Sequence, residues 1–215
     1  MAPTRFKAVI FDLDGTLVDT EVLCNETGEA ACQLLGHPVS PGFFETLAGI
    51  DDETRAGMIA RHTGRPVDTA QFFAEWDRLC IERFRLGVPL KPGVPEVFDR
   101  LRSAGLPLAI CTSSRRNMAE AKVAAAGFAA CFDAIISVND VPHAKPHPAP
   151  YLTAARALGV DPEKALAVED SDTGVASAIA AGMTVLQVPD LHPPKSQAAT
   201  LIAPTIAEGL DALGL

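Results

Sequence analysis

The chain has 215 residues, 48% of them hydrophobic and 21% charged, which is enough to bury a real core and too apolar for a disordered segment. The formal net charge of −9 excludes a nonspecific nucleic-acid binder, whose surface must be basic. It leaves room for an anionic substrate wherever a local metal ion reverses the sign.

In chain order, Ala8-Val9-Ile10-Phe11 is a short apolar run that predicts a buried strand over 7–12, closed by Asp12-Leu13-Asp14-Gly15-Thr16. Residues 20–35 carry Leu23, Thr27, Ala30 or Ala31 and Leu34 at helical spacing, with Gly36 as stop. Pro41 to Leu47 predicts a short helix. Asp51 or Asp52 is placed to cap another that runs to His62, ended by Gly64 and Pro66. Thr69 to Leu86 is longer, and its stripe of Phe73, Trp76, Cys80 and Phe84 reads as a core face.

After a connector punctuated by Pro89, Pro92, Gly93 and Pro95, the texture becomes an alternation. A helix through Val94, Val97, Phe98 and Leu101 precedes a strand over 106–111. A helix over about 116–126 precedes a strand over 134–137. The loop Lys145-Pro146-His147-Pro148 leads to a helix through Tyr151, Ala155 and Leu158. Asp161-Pro162 starts a short turn before a strand over 165–168 that runs into Glu169-Asp170. An alanine-rich helix over 174–181 precedes the last clear strand, 184–188, and a final helix spans 205–213.

Short strands alternating with helices predict an α/β fold, a parallel sheet covered on both faces. The helical block 20–86 interrupts the alternation. The economical division is a Rossmann-like core of 1–16 and 89–215 with a helical domain, 17–88, inserted in it. The two crossings would make a hinge.

The five cysteines, Cys24, Cys32, Cys80, Cys111 and Cys131, are odd in number and lack Cys-x-x-Cys spacing. We expect neither a disulfide framework nor a zinc site, but small apolar residues in a reducing, cytoplasmic compartment. The polar Met1–Lys7 carries no signal peptide, and no apolar run approaches the ~20 residues that span a bilayer, so no membrane partner is expected.

Polar residues gather where the strands end, which is where open parallel sheets place their chemistry. The first strand ends in Asp12 and Asp14, the second in Thr112 with Ser113 and Ser114, the fourth in Glu169 and Asp170, and Lys145 lies in the loop after the third. Each piece has a plain alternative. Asp-Gly is a common turn, Ser113 or Ser114 could be a helix N-cap, Lys145 a surface lysine, and Glu169-Asp170-Ser171-Asp172 an acidic helix start. Together they describe something else. Converging carboxylates call for a hard divalent cation, for which Mg²⁺ is suited, and hydroxyl, backbone N–H and ammonium groups suit a phosphoryl group.

These residues resemble the haloacid dehalogenase superfamily. Its four motifs occur in order as Asp12-Leu13-Asp14-Gly15-Thr16-Leu17, Thr112, Lys145-Pro146 and Glu169-Asp170, and Val168 to Met183 (VEDSDTGVASAIAAGM) is similar to the extended fourth motif of the β-phosphoglucomutase-like phosphatases. The resemblance implies a Rossmann-like core with strand order 5-4-1-2-3 and a helical cap. It implies Asp12 as nucleophile, forming an aspartyl-phosphate, and Asp14 as acid and then base. Thr112 and Lys145 would hold the phosphoryl group. Mg²⁺ would be bound by Asp12, the backbone carbonyl of Asp14 and Asp170, with Glu169 in or near the metal shell.

Departures narrow the reaction. Dehalogenases lack the second aspartate, which is present here as Asp14. Sugar-phosphate mutases carry a cap histidine where Cys24 stands, and an arginine past a glycine equivalent to Gly49, where Asp51 or Asp52 stands with Arg55 further on. Phosphonatases use a cap lysine, and residues 18–86 contain none. Thr16 is typical of the phosphatases. The expected activity is therefore hydrolysis of a small phosphate ester, with Glu21, Asn25, Arg55 and Trp76 as candidate specificity residues. A sugar-phosphate mutase and a non-catalytic phosphate-binding or regulatory module are the alternatives. Phosphoglycolate, hexose, pentose and polyol phosphates and nucleoside monophosphates all stay open, and a monomer or weak homodimer is expected.

Overall fold

A computed structural model of the chain describes residues 5–47, 50 and 52–215. The chain divides into two compact units, Met1–Asp19 with Pro89–Leu215, and Thr20–Val88.

The first unit is built on a fully parallel sheet. Its strands are β1 (Ala8–Phe11), β2 (Leu108–Cys111), β3 (Ala134–Ile136), β4 (Ala165–Glu169), β5 (Thr184–Gln187) and β6 (Leu201–Ile202), in the order β3-β2-β1-β4-β5-β6. The expected five-strand order is present, and β6 is an addition at the edge. Leu201-Ile202 is too short to give an alternation signal, and its pairing with Leu186 and Gln187 is what makes it a strand. Val9 to Phe11 pair with Leu108–Ile110 on one side and Ala8 to Phe11 with Ala165–Val168 on the other, so β1 is an interior strand and completely buried.

Alternation of side chains sends successive residues to opposite faces. Ile10, Ala109, Cys111 and Ala167 join Tyr151, Ala154, Val175 and Ala178, which come from the helices α6 (Ala149–Ala157) and α7 (Asp172–Ala180). Phe11 meets Phe98 and Phe132 edge-to-face, at centroid distances of 6.0 and 6.2 Å. Phe98 lies on α4 (Val94–Ser103), and each such ring withdrawn from water contributes about 1.5–3 kcal/mol. The remaining α-helices described in this unit are α5 (Arg116–Ala125) and α8 (Ile206–Leu213).

Residues 17–19 stay with the sheet unit. Val18 forms an antiparallel bridge with Leu90, the Asp19 N–H donates to the Pro89 carbonyl at 2.9 Å, and the Lys91 N–H donates to the Leu17 carbonyl at 2.9 Å. The chain thus leaves and re-enters this unit through two adjacent segments.

The second unit consists of α1 (Glu21–Leu34), a 3-10 turn over Phe43–Leu47, α2 (Asp52–Thr63) and α3 (Thr69–Phe84). Asp68 caps α3 by accepting from the Gln71 N–H. Its core gathers Ala31, Cys32, Phe44, Leu47, Ile59, Phe72 and Phe73, with Trp76 packed against them. No helix among the described residues is long and apolar enough to cross a membrane.

Candidate active site

In a sheet of this order the chain runs outward from β1 through β2 and β3, then crosses back to β4. The carboxyl ends of β1 and β4 therefore flank the point where strand order reverses, the place where open α/β sheets bind ligands. Asp12 follows β1, and its N–H donates to the Val168 carbonyl at 2.9 Å, which carries the ladder one residue past the strand. Glu169 is the last residue of β4, and Asp170 comes next.

One atom ties these ends together. Lys145 Nζ donates to Asp12 Oδ1 at 2.7 Å, to Glu169 Oε1 at 2.6 Å and to the Cys111 carbonyl at 2.9 Å. A buried lysine ordinarily loses its proton more easily, but the Asp12 and Glu169 carboxylates outweigh that burial and hold Lys145 well above the usual lysine range. Glu169 is completely buried. It also accepts from the Tyr151 hydroxyl, at 2.7 Å to Oε1, and from the Ser171 hydroxyl and N–H, at 3.0 and 3.4 Å to Oε2. Burial and the neighbouring Glu169 push the Tyr151 phenol well up, so it stays a donor.

Asp12, Glu169 and Asp170 each place a carboxylate oxygen so that all lie within 4.8 Å of one another. Lys145 bonds two of these three carboxylates, Asp12 and Glu169. Burial, and then Glu169, push the Asp170 carboxyl up to about 7, and burial with Glu169 and Asp170 raises Asp12 against the pull of Lys145. This all-oxygen donor set with uncompensated negative charge fits a hard divalent cation. Two glycines make room for it. Gly15, at φ +83°, adopts a conformation that favours glycine, and a Cβ there would lie 2.5 Å from Asp170 Oδ2. A Cβ on Gly174 would lie 1.8 Å from Glu169 Oε1.

The other expected residues divide. Thr112 is buried at the end of β2, and its Oγ1 accepts from the Ser114 N–H at 3.0 Å. Helix α5 begins at Arg116 with Arg115 as N-cap, so neither Ser113 nor Ser114 caps it. Ser113 is exposed, and it is Ser114 that reaches the first motif, donating to Asp14 Oδ2 at 2.9 Å. The Asp14 side chain is not among the three clustered carboxylates; it is turned toward Ser114 and Lys122.

In the helical unit, Arg55 Nη2 donates to the Ile50 carbonyl at 2.8 Å, and its guanidinium stacks 5.0 Å above Trp76. Trp76 Nε1 donates to the Cys24 carbonyl at 3.0 Å. Glu21 opens α1, with Cys24 and Asn25 half-buried one turn on. Gly49 and Asp51, which entered the comparison with the mutases, lie outside the described residues, and Asp52 begins α2.

Sequence reading missed Lys122, Tyr151 and Gly174. Lys122 left a trace: it lies on the same stripe of α5 as Met118, Ala119 and Val123, an apolar face where a lysine is out of place unless paired. Tyr151 passed for an ordinary core residue, and Gly174 for a small residue in an alanine-rich helix.

A parallel α/β sheet with polar residues gathered at its switch point is the Rossmann-like arrangement of many α/β enzymes. Within that class, residues 6–182 match the haloacid dehalogenase-like hydrolase model, and the chain belongs to that family. It is 37% identical over 201 residues to Protein CbbY of Rhodobacter capsulatus, covering 86% of each chain. It is 34% identical over 186 residues to Hexitol phosphatase A of Escherichia coli, covering 86% of this chain and 83% of the relative. The crystal structure of CbbY from Rhodobacter sphaeroides in complex with phosphate superimposes with a TM-score of 0.83 at 28% identity, over 96% of this chain and 99% of that one.

Proposed function

We propose that this chain is a Mg²⁺-dependent phosphatase that hydrolyses a small phosphorylated metabolite through an aspartyl-phosphate on Asp12. The observation that carries this reading is the junction of Asp12, Lys145 and Glu169 at the switch point, with Asp170 beside it. Asp12 has one carboxylate oxygen paired with Lys145, which leaves the other to attack phosphorus. Lys145 and Thr112 hold the equatorial phosphoryl oxygens. Asp14 gives a proton to the leaving alkoxide and then takes one from the water that hydrolyses the acyl phosphate.

Asp12, Asp170 and the Asp14 carbonyl would hold Mg²⁺, with Glu169 behind them, and the bound ion would supply charge neutralisation at the phosphoryl oxygens. The relative named as a hexitol phosphatase favours a polyol or sugar phosphate. Glu21 and Arg55 of the helical unit are the proposed specificity residues. Cys24, where the mutases have a histidine, favours water over a sugar hydroxyl as acceptor. Five cysteines with no disulfide-framework or Cys-x-x-Cys spacing and the charge of −9 support a cytoplasmic enzyme with a small-molecule partner, which we take to be a monomer or weak homodimer.

The test is phosphate release from a panel of phosphorylated metabolites with and without Mg²⁺, using the wild type and Asp12→Asn. The expected result is Mg²⁺-dependent turnover of at least one ester that Asp12→Asn abolishes. Turnover by Asp12→Asn at the wild-type rate would remove the assigned nucleophile, and phosphate binding with no turnover of any ester would remove the enzyme.

A further inference from the structure

Lys122 comes from the middle of α5 and is 4% exposed, yet none of the four family motifs contains it. Its ammonium meets both oxygens of Asp14, at 2.7 Å to Oδ1 and 2.8 Å to Oδ2. The Ser114 hydroxyl closes the group. It accepts from Lys122 Nζ at 2.9 Å and donates to Asp14 Oδ2 at 2.9 Å. Ser114 is itself fixed, since its N–H donates to Thr112 Oγ1 at 3.0 Å. The Asp14 side chain is 36% exposed, so burial alone does not fix its rotamer. The bidentate ammonium contact and the Ser114 hydroxyl instead hold its carboxylate plane against the segment that carries Thr112.

We propose that Lys122, acting with Ser114, is a positioning residue that holds the Asp14 carboxyl in line for proton transfer to the leaving group. This rests on the reading of Asp14 as the acid in the proposed phosphatase. In that step the Asp14 O–H bond breaks and the proton passes to the ester oxygen. That oxygen takes the electron pair of the cleaved P–O bond as Asp12 bonds to phosphorus. Negative charge then develops on Asp14 where the Lys122 ammonium already lies, in a site whose donors need no reorganisation. A lysine recruited only to fill the α5 face would need a counter-charge but not a bidentate one shared with the hydroxyl beside Thr112.

The experiment compares kcat/KM for p-nitrophenyl phosphate and p-methylphenyl phosphate. The two esters are nearly the same shape, but only the second leaves as a strongly basic phenoxide that needs a proton. Lys122→Met should lower kcat/KM for p-methylphenyl phosphate about ten-fold more than for p-nitrophenyl phosphate. Lys122→Arg should recover part of the difference, and Ser114→Ala should reproduce it at smaller size without emptying the buried position.

An equal loss on both esters in Lys122→Met and Ser114→Ala, or a relative gain on p-methylphenyl phosphate, overturns the proposal and assigns Lys122 to packing. Asp14→Asn separates this failure from that of the underlying reading. If Asp14→Asn leaves the ratio of the two esters unchanged, Asp14 is not the acid, and the role of Lys122 falls with it. If Asp14→Asn shifts the ratio and Lys122→Met does not, only the positioning role falls.

Discussion

The ammonium of Lys145 and the carboxylate of Glu169 meet at 2.6 Å, and no surface of Glu169 is exposed. Removing one partner of a buried pair leaves the other uncompensated, which typically costs about 3–5 kcal/mol. Lys145→Met leaves Asp12, Glu169 and Asp170 with no cation among them. It should lower the unfolding free energy by about that amount in urea titrations at pH 7.5, and Mg²⁺ should restore part of it. A loss no larger than that of a surface lysine would mean that the carboxylates are solvated.

Gly174 should tolerate no side chain, although it lies in the first turns of a helix. On helix propensity alone Gly174→Ala would gain up to about 1 kcal/mol. The Cβ would instead stand 1.8 Å from Glu169 Oε1, and that oxygen is held by Lys145 and Tyr151. The expected outcome is a net destabilisation of about 1–3 kcal/mol together with loss of stabilisation by Mg²⁺, read by thermal melts with and without the ion. An unchanged or raised Tm would show that Glu169 can move aside.

Asp170 predicts how metal binding depends on pH. Its carboxyl is pushed up to about 7, first by burial and then by Glu169. The usual aspartate range lies near 4, so between about 4 and 7 the metal-free folded state keeps a proton that the unfolded state has lost. The stability of the metal-free protein should therefore fall as pH rises through that window and level off above it. A divalent ion competes with this proton. The rise in Tm on adding Mg²⁺ should be larger at pH 8 than at pH 6, and calorimetry in two buffers of different ionisation enthalpy should detect proton release on binding. Equal shifts at both pH values would contradict the assignment.

The cysteines should react in two groups. Burial pushes the thiols of Cys32 and Cys111 up to about 12, and Cys80 is buried against the Thr27 hydroxyl at 2.9 Å. Cys24 and Cys131 are half-buried. Iodoacetamide at pH 8 should label Cys131 and Cys24 in the native protein and reach the other three only after denaturation, as read by peptide mass spectrometry.

The sequence by itself determined the order of the elements and which polar residues stand at the strand ends. Runs such as Ala8–Phe11 and Leu108–Cys111 are apolar throughout and too short for a helix, which marks them as buried strands. Glycines close the helices between them, so the alternation and the helical block from Thr20 onward are legible in the chain itself. Asp12, Thr112, Glu169 and Asp170 are legible because each stands next to such a run, whereas Lys145, in a loop beyond the third strand, stands out only through its Lys-Pro motif.

Only the tertiary structure decided which of these residues meet. That Lys145 bridges Asp12 and Glu169, 133 and 24 residues away, follows from the placement of β4 beside β1, which no local pattern encodes. The same holds for β6, whose two residues become a strand only by pairing with β5. It holds for Ser114, which reaches Asp14 while the adjacent Ser113 faces solvent, and for Lys122, whose partner is 108 residues away. Local propensity is a property of neighbours in the chain. A buried charge is tolerated only through neighbours in space, and those are fixed when the sheet assembles.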